Sequence, residues 1–175
     1  MIRIIAILLF ISLLSLHSEP LASKAWSGTT EDEGGLTAVS TSTNIFALEL
    51  YKRIVIPNDN LFLSPYSIYT VFAMVYGGAR GNTATQMERA FHFPLSGMDL
   101  HEHVSRLSFA IEAAGQTGNL KLNIANGLWP QDGYPFLEGY LNMTERYYRA
   151  KISPLEYRKE SEDARKTING WVEEK

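Results

Sequence analysis

NLFLSPYSIYTVFAMVYGGARGNTATQM, residues Asn60 to Met87, is the stretch from which the rest of the chain can be read. Leu61 to Leu63 is a short apolar run of strand character. Ser64 followed by Pro65 is a helix start: the serine side chain can cap the first turn, and proline fits the first helical position, where no N–H is required. From Tyr66 to Tyr76 only Ser67 and Thr70 are polar. A helix apolar all round is expected to be covered on every side. Gly77 and Gly78 end it, and Thr83 with Gln86 forms a capping-box pattern for a further short helix through Ala90.

Working back from this stretch, Phe46, Leu50, Tyr51 and Ile54 recur at helical spacing opposite Glu49, Lys52 and Arg53, and Pro57 to Asn60 stop that helix. Ser27 to Thr43 is rich in Gly, Ser, Thr and acid, which predicts a flexible leader over residues 24–43 and folding from Asn44 onward. Arg3 and the apolar run Ile4 to Leu16 read as a signal peptide, residues 1–23, too short for a span of about 20 apolar residues. Cleavage could follow Ser18, Ser23 or Ala25. This predicts a secreted, extracellular protein (periplasm or cell exterior in a prokaryote), with no membrane attachment after the signal is removed.

Working forward, Leu100, Val104, Leu107, Ile111 and Ala114 form one stripe of a longer helix closed by Gly115. The period then changes to two. Leu120, Leu122, Ile124 and Leu128 predict a strand, and a helix follows from Pro135 through Leu137, Leu141 and Tyr148. Ala150 to Tyr157 predicts a second strand, placed at a sheet edge by Pro154. Ala164, Ile168, Trp171 and Val172 define a last helix, with Glu162 and Asp163 suited to its positive N-terminal end. It reaches Glu173, Glu174 and Lys175 with no Gly, Asn or Pro to stop it, so residues 44–175 are expected to be one part of a larger α+β domain, cut within a helix.

The chain of 175 residues has 45% hydrophobic and 20% charged residues, a net charge of −3 and no cysteine. Its charge argues against a nucleic-acid partner, and the missing cysteine excludes disulfides, thiolate metal sites and cysteine nucleophiles. His101 and His103 suggest a metal pair, but two residues apart on a helix they point about 200° away from each other. With no third ligand nearby, solvated polar positions are the better reading. Gly77-Gly78-Ala79-Arg80-Gly81 follows a helix instead of a strand and has no Lys before Thr, so it reads as a turn, not a phosphate loop. There is no G-x-S-x-G, and no suggestive Ser, His and acid set. No catalytic, metal or cofactor-binding residue is therefore assigned, and no cofactor is expected. Asn142-Met143-Thr144 is a glycosylation sequon.

The quoted motifs together resemble the serpin family. Asn44 to Ile54 resembles its first helix, and Asn60 to Met87 its most recognisable N-terminal stretch. Leu120 to Trp129 resembles the second strand of the main sheet A, and Glu162 to Lys175 the helix that packs across that sheet. Order and spacing agree from Asn44 to the end of the chain.

The resemblance implies the serpin fold, three β-sheets with eight or nine helices, of which this would be the N-terminal part. It implies a protease inhibitor instead of an enzyme. The target would be a serine protease of unknown identity, trapped as an acyl-enzyme when a cleaved reactive loop inserts into sheet A. No reactive-site bond is expected within these residues. The family also includes non-inhibitory members with carrier, storage or chaperone-like roles, and an inactive short product is a further alternative. Carried over residue by residue, Asn60, Ser64, Pro65 and Ser67 match the shutter, where sheet A opens. The plainer alternative is a cap plus a tolerated buried hydroxyl. Heparin activation is not supported, because the helix from Leu100 to Ala114 sets Arg106 and two histidines against Glu102 and Glu112.

Overall fold

The computed structural model describes residues 30–116 and 124–174. Their order is α1 (Thr30–Ile54), α2 (Pro65–Tyr76), α3 (Gly81–Phe91), α4 (Gly97–Gly115), β1 (Gly127–Leu128), α5 (Glu138–Tyr148), β2 (Lys151–Ile152) and α6 (Ser161–Glu173). The residues read as a signal peptide, and Leu120 to Asn123 of the first predicted strand, lie outside the described residues.

α1 packs along both α4 and α2, α3 closes on α2, and α5 lies against α4. Where α1, α2 and α3 meet, an aromatic cluster fills the core. Phe46 lies 5.1 Å from Phe91, Phe72 stacks on Phe91 at 4.5 Å, and Tyr69 meets Phe93 edge-on at 5.2 Å. Such pairs contribute about 0.5–1.5 kcal/mol each beyond their buried area.

The flexible leader is corrected here. α1 opens at Thr30, and Val39, Ser42 and Thr43 are buried against the rest of the molecule. The sequence hid this because small and hydroxylated residues are poor intrinsic helix formers. Each hydroxyl is satisfied locally, Ser42 and Thr43 both donating to the Val39 carbonyl at 3.3 and 2.8 Å. Small side chains also let α4 approach. At Gly35 a Cβ would collide with the His103 ring of α4.

β1 and β2 are parallel and are joined through α5, the crossover that parallel pairing requires. The ladder runs through Lys151 N to Asn126 O at 3.0 Å, Ser153 N to Leu128 O at 3.0 Å and Leu155 N to Pro130 O at 2.9 Å. Donors alternate, so the N–H that Pro154 lacks would have pointed away from β1. That is the edge position its presence predicts. Among the described residues the pairing goes on only through an isolated bridge between Gln131 and Leu155, and Tyr157 lies in a turn. Trp129 meets Trp171 of α6 edge-on at 5.0 Å, fastening the last helix.

Two further expectations are corrected. Leu61 to Leu63 forms no strand, and Leu61 and Phe62 are exposed. A strand exists only as part of a ladder, and this run is not assigned to one. The Thr83–Gln86 capping box is not used. α3 begins at Gly81 after Arg80, with no side-chain cap, and Thr83 sits inside the helix. Gly81 turns the chain into it at φ +57°, a left-handed value glycine adopts without strain. On α2, Tyr69, Thr70, Ala73, Met74 and Tyr76 are buried, while Val71, Phe72 and Val75 stay exposed, the mixed cover expected of one part of a larger domain.

Candidate functional site

The start of α2 is built as its residues dictate. Ser64 is extended at φ −110° and ψ 96°, and Pro65 occupies the first turn. The Ser64 carbonyl accepts from Ile68 N at 3.2 Å, opening the helical ladder. Its Oγ accepts from Ser67 N at 3.3 Å and lies 2.9 Å from Ser67 Oγ. Both serines are half-buried, so the pair is a two-hydroxyl cap at the rim of the core. Asn60 is exposed, and its backbone N–H donates to Asp59 Oδ1 at 2.8 Å. The structure therefore brings Ser64, Pro65 and Ser67 together and leaves Asn60 on the loop that precedes them.

Three bonds anchor α2 and the neighbouring helices, and none was foreseen from sequence. Tyr66, between the two serines, shares a hydrogen bond with Ser108 of α4, whose hydroxyl also donates to Val104 O at 3.0 Å. One turn on, Tyr69 OH lies 2.6 Å from Ser42 of α1. At the far end, Tyr76 donates to Glu88 of α3 at 2.6 Å. Burial raises the phenol pKa of Tyr66 and Tyr69, and burial with the Glu88 carboxylate pushes that of Tyr76 up to about 12. These groups stay neutral near pH 7. The Tyr66 and Tyr69 bonds join hydroxyls, the Tyr76 bond runs from a neutral phenol to a carboxylate, and none of these phenols is an activated nucleophile or base.

His101 is the main correction among the sequence candidates. It is not solvated but 2% exposed, with Nδ1 2.6 Å from the Tyr148 hydroxyl of α5, and burial lowers its pKa to about 4. His103 points elsewhere and donates through Nδ1 to Asp99 O at 2.8 Å. Among the described residues no three His, Cys, Asp or Glu side chains converge as a metal set would. Asn142 is exposed on α5, but Thr144 of its sequon is fully buried and donates to Leu141 O at 2.8 Å. Partners 12 to 47 residues apart carry no local signal, which is why sequence reading missed them.

A family model described as Serpin (serine protease inhibitor) matches residues 41–175. Leukocyte elastase inhibitor A of Mus musculus is 40% identical over 136 residues, covering 77% of this chain and 35% of that protein. Among solved structures, ovalbumin from emu (Dromaius novaehollandiae) aligns with a TM-score of 0.65 at 27% identity, over 78% of this chain and 38% of that one. A structure titled Cleaved Serpin 42Da aligns with a TM-score of 0.61 at 25% identity, over 82% and 36%. The chain thus spans about a third of the length of the relatives it matches.

These relatives overturn the expectation of secretion. The matched relatives are named leukocyte elastase inhibitors, and against them the secreted, extracellular reading does not stand. The family match over residues 41–175 agrees with the helix order, the small parallel sheet and the serine-capped α2. By that agreement the chain belongs to the serpin family.

Proposed function

We propose that this chain is the N-terminal portion of a serpin that inhibits a serine endopeptidase by covalent trapping, with loop insertion into sheet A. The observation that carries the proposal is the 40% identity to a leukocyte elastase inhibitor across most of the chain. Within it, Ser64, Pro65 and Ser67, with Asn60 before them, serve as the shutter. Their chemistry suits that role. The Ser64–Ser67 pair caps α2 with neutral, half-exposed bonds of 2.9 and 3.3 Å, which can exchange partners when neighbouring strands part. No ionised group has to be buried or released in that exchange.

The test is a chimera in which residues 44–175 replace the corresponding segment of mouse leukocyte elastase inhibitor A. Incubated with pancreatic or neutrophil elastase, it should form an SDS-resistant complex. Ser67→Phe in the same chimera should raise the stoichiometry of inhibition and the rate of polymer formation. A chimera that folds yet is only cleaved as a substrate would sink the inhibitory reading. Unchanged stoichiometry and polymerisation in Ser67→Phe would remove the shutter assignment alone.

A further inference from the structure

The buried pair His101–Tyr148 is not used by the proposed inhibition. It joins three parts of the molecule. His101 stands on the core side of α4, and Tyr148 is the last residue of α5. The two are 2% and 3% exposed. Tyr148 is held at both ends. Its hydroxyl meets His101 Nδ1 at 2.6 Å, and its carbonyl accepts from Asn126 Nδ2 at 2.8 Å. Asn126 immediately precedes β1, and its own carbonyl takes the first ladder bond, from Lys151 N. The end of α2 is cut to fit this site. A Cβ at Gly77 would run into Met143 Cε and the edge of the His101 ring.

The surroundings suit only a neutral ring. From α2 the ring faces Tyr76, 6.3 Å away between centroids, whose hydroxyl is already given to Glu88. From α5 it faces Tyr147 at 6.4 Å and Tyr148 at 5.7 Å, with Arg146 on the Tyr147 ring. On α4 itself, Glu102 pairs with Arg106, and His103 bonds Asp99 O. The groups around the ring are therefore phenols, and burial raises the pKa of Tyr148. In the tautomer that leaves Nδ1 bare, the imidazole accepts the Tyr148 O–H. Protonation makes Nδ1 a donor, which the phenol oxygen can accept only by turning its own hydrogen away from the ring, and it buries a charge with no carboxylate against it among the described residues.

We infer that His101–Tyr148 is an acid-release joint, which holds α5 and the start of β1 onto α4 while the imidazole is neutral and opens when it is protonated. The sign follows from the depressed pKa, set by burial at about 4 against 6.5 for an ordinary histidine. Between those values the unfolded chain binds a proton that the folded chain refuses. Stability is then fully present above about pH 6.5 and falls as pH drops toward 4.

The experiment uses the full chain. Hydrogen–deuterium exchange at the histidine C2 position, followed by mass spectrometry from pH 3 to 8, reads each imidazole separately. His101 should titrate near 4 in buffer and near 6.5 in denaturing urea. Native titration near 6.5 overturns the joint. In parallel, Tyr148→Phe removes the bond and leaves the histidine. At pH 7 its amides across α5 and Asn126–Leu128 should show protection factors as low as those of the unaltered chain at pH 4.5, each corrected for the intrinsic exchange rate at its pH. Slow, unaltered amide exchange in Tyr148→Phe overturns the proposal as well. His101→Asn, where it folds, should lose the acid-dependent fall in urea midpoint between pH 6.5 and 4; a retained fall counts against the joint.

Discussion

Ser64 shows how one side chain can be read correctly from sequence and still be underestimated. Its place before Pro65 predicts an N-cap, and the structure gives it one, through a 3.3 Å bond from Ser67 N. The 2.9 Å contact with Ser67 Oγ adds a second partner to the same hydroxyl. Ser64→Ala should therefore lower stability by about 1 kcal/mol, the usual cost of losing a capping hydroxyl. Urea unfolding of the two chains at pH 7 checks this, and equal midpoints would mean that the cap is idle. His101 is the opposite case. Its neighbours in sequence, Glu102 and His103, suggest a solvated face, yet it is buried on a tyrosine 47 residues away. Nothing in the local pattern marks a polar residue as inward-facing when its partner lies on another helix.

At the scale of elements, α1 shows the limit of intrinsic propensity. Its first half reads as a leader because it lacks large apolar residues, yet it is helical from Thr30. Packing against α4 and α2 overrides propensity, since most helix stability in proteins comes from the buried face. Val39 is the measure of this, being fully buried within the segment read as disordered. Val39→Ala should destabilise the chain by about 2 kcal/mol, from two lost methyl groups and the space they leave. A flexible leader would give no change, so the same urea titration separates the two descriptions. The short β1 and β2 make the complementary point. Alternation predicted longer strands, but a strand extends only as far as its partner, and among the described residues the pairing covers Gly127↔Lys151 and Leu128↔Ile152.

For the whole molecule, exposed apolar surface is the feature with consequences. Val71, Phe72 and Val75 lie open on α2, and Leu61 and Phe62 on the loop before it. Apolar area left in water forfeits about 25 cal/mol for each Å². Contiguous patches of this kind drive association. The purified chain should bind ANS strongly and elute as oligomers, and Val71→Lys with Val75→Glu should reduce both signals. A monomer that binds no dye would show that this face is quiet in solution. Much of the architecture follows from sequence alone. Helix starts at Ser64-Pro65, the apolar stripes of α4 and α6, and the edge position of Pro154 are set by hydrogen bonding and periodicity within a few residues. Family membership was legible too, because the motifs keep their order along the chain. What only the tertiary structure decided is which of those residues face one another. The burial of Val39, the pairing of Tyr66 with Ser108 and of His101 with Tyr148, and the open face of α2 depend on contacts between distant segments. Neither propensity nor spacing encodes those contacts one stretch at a time.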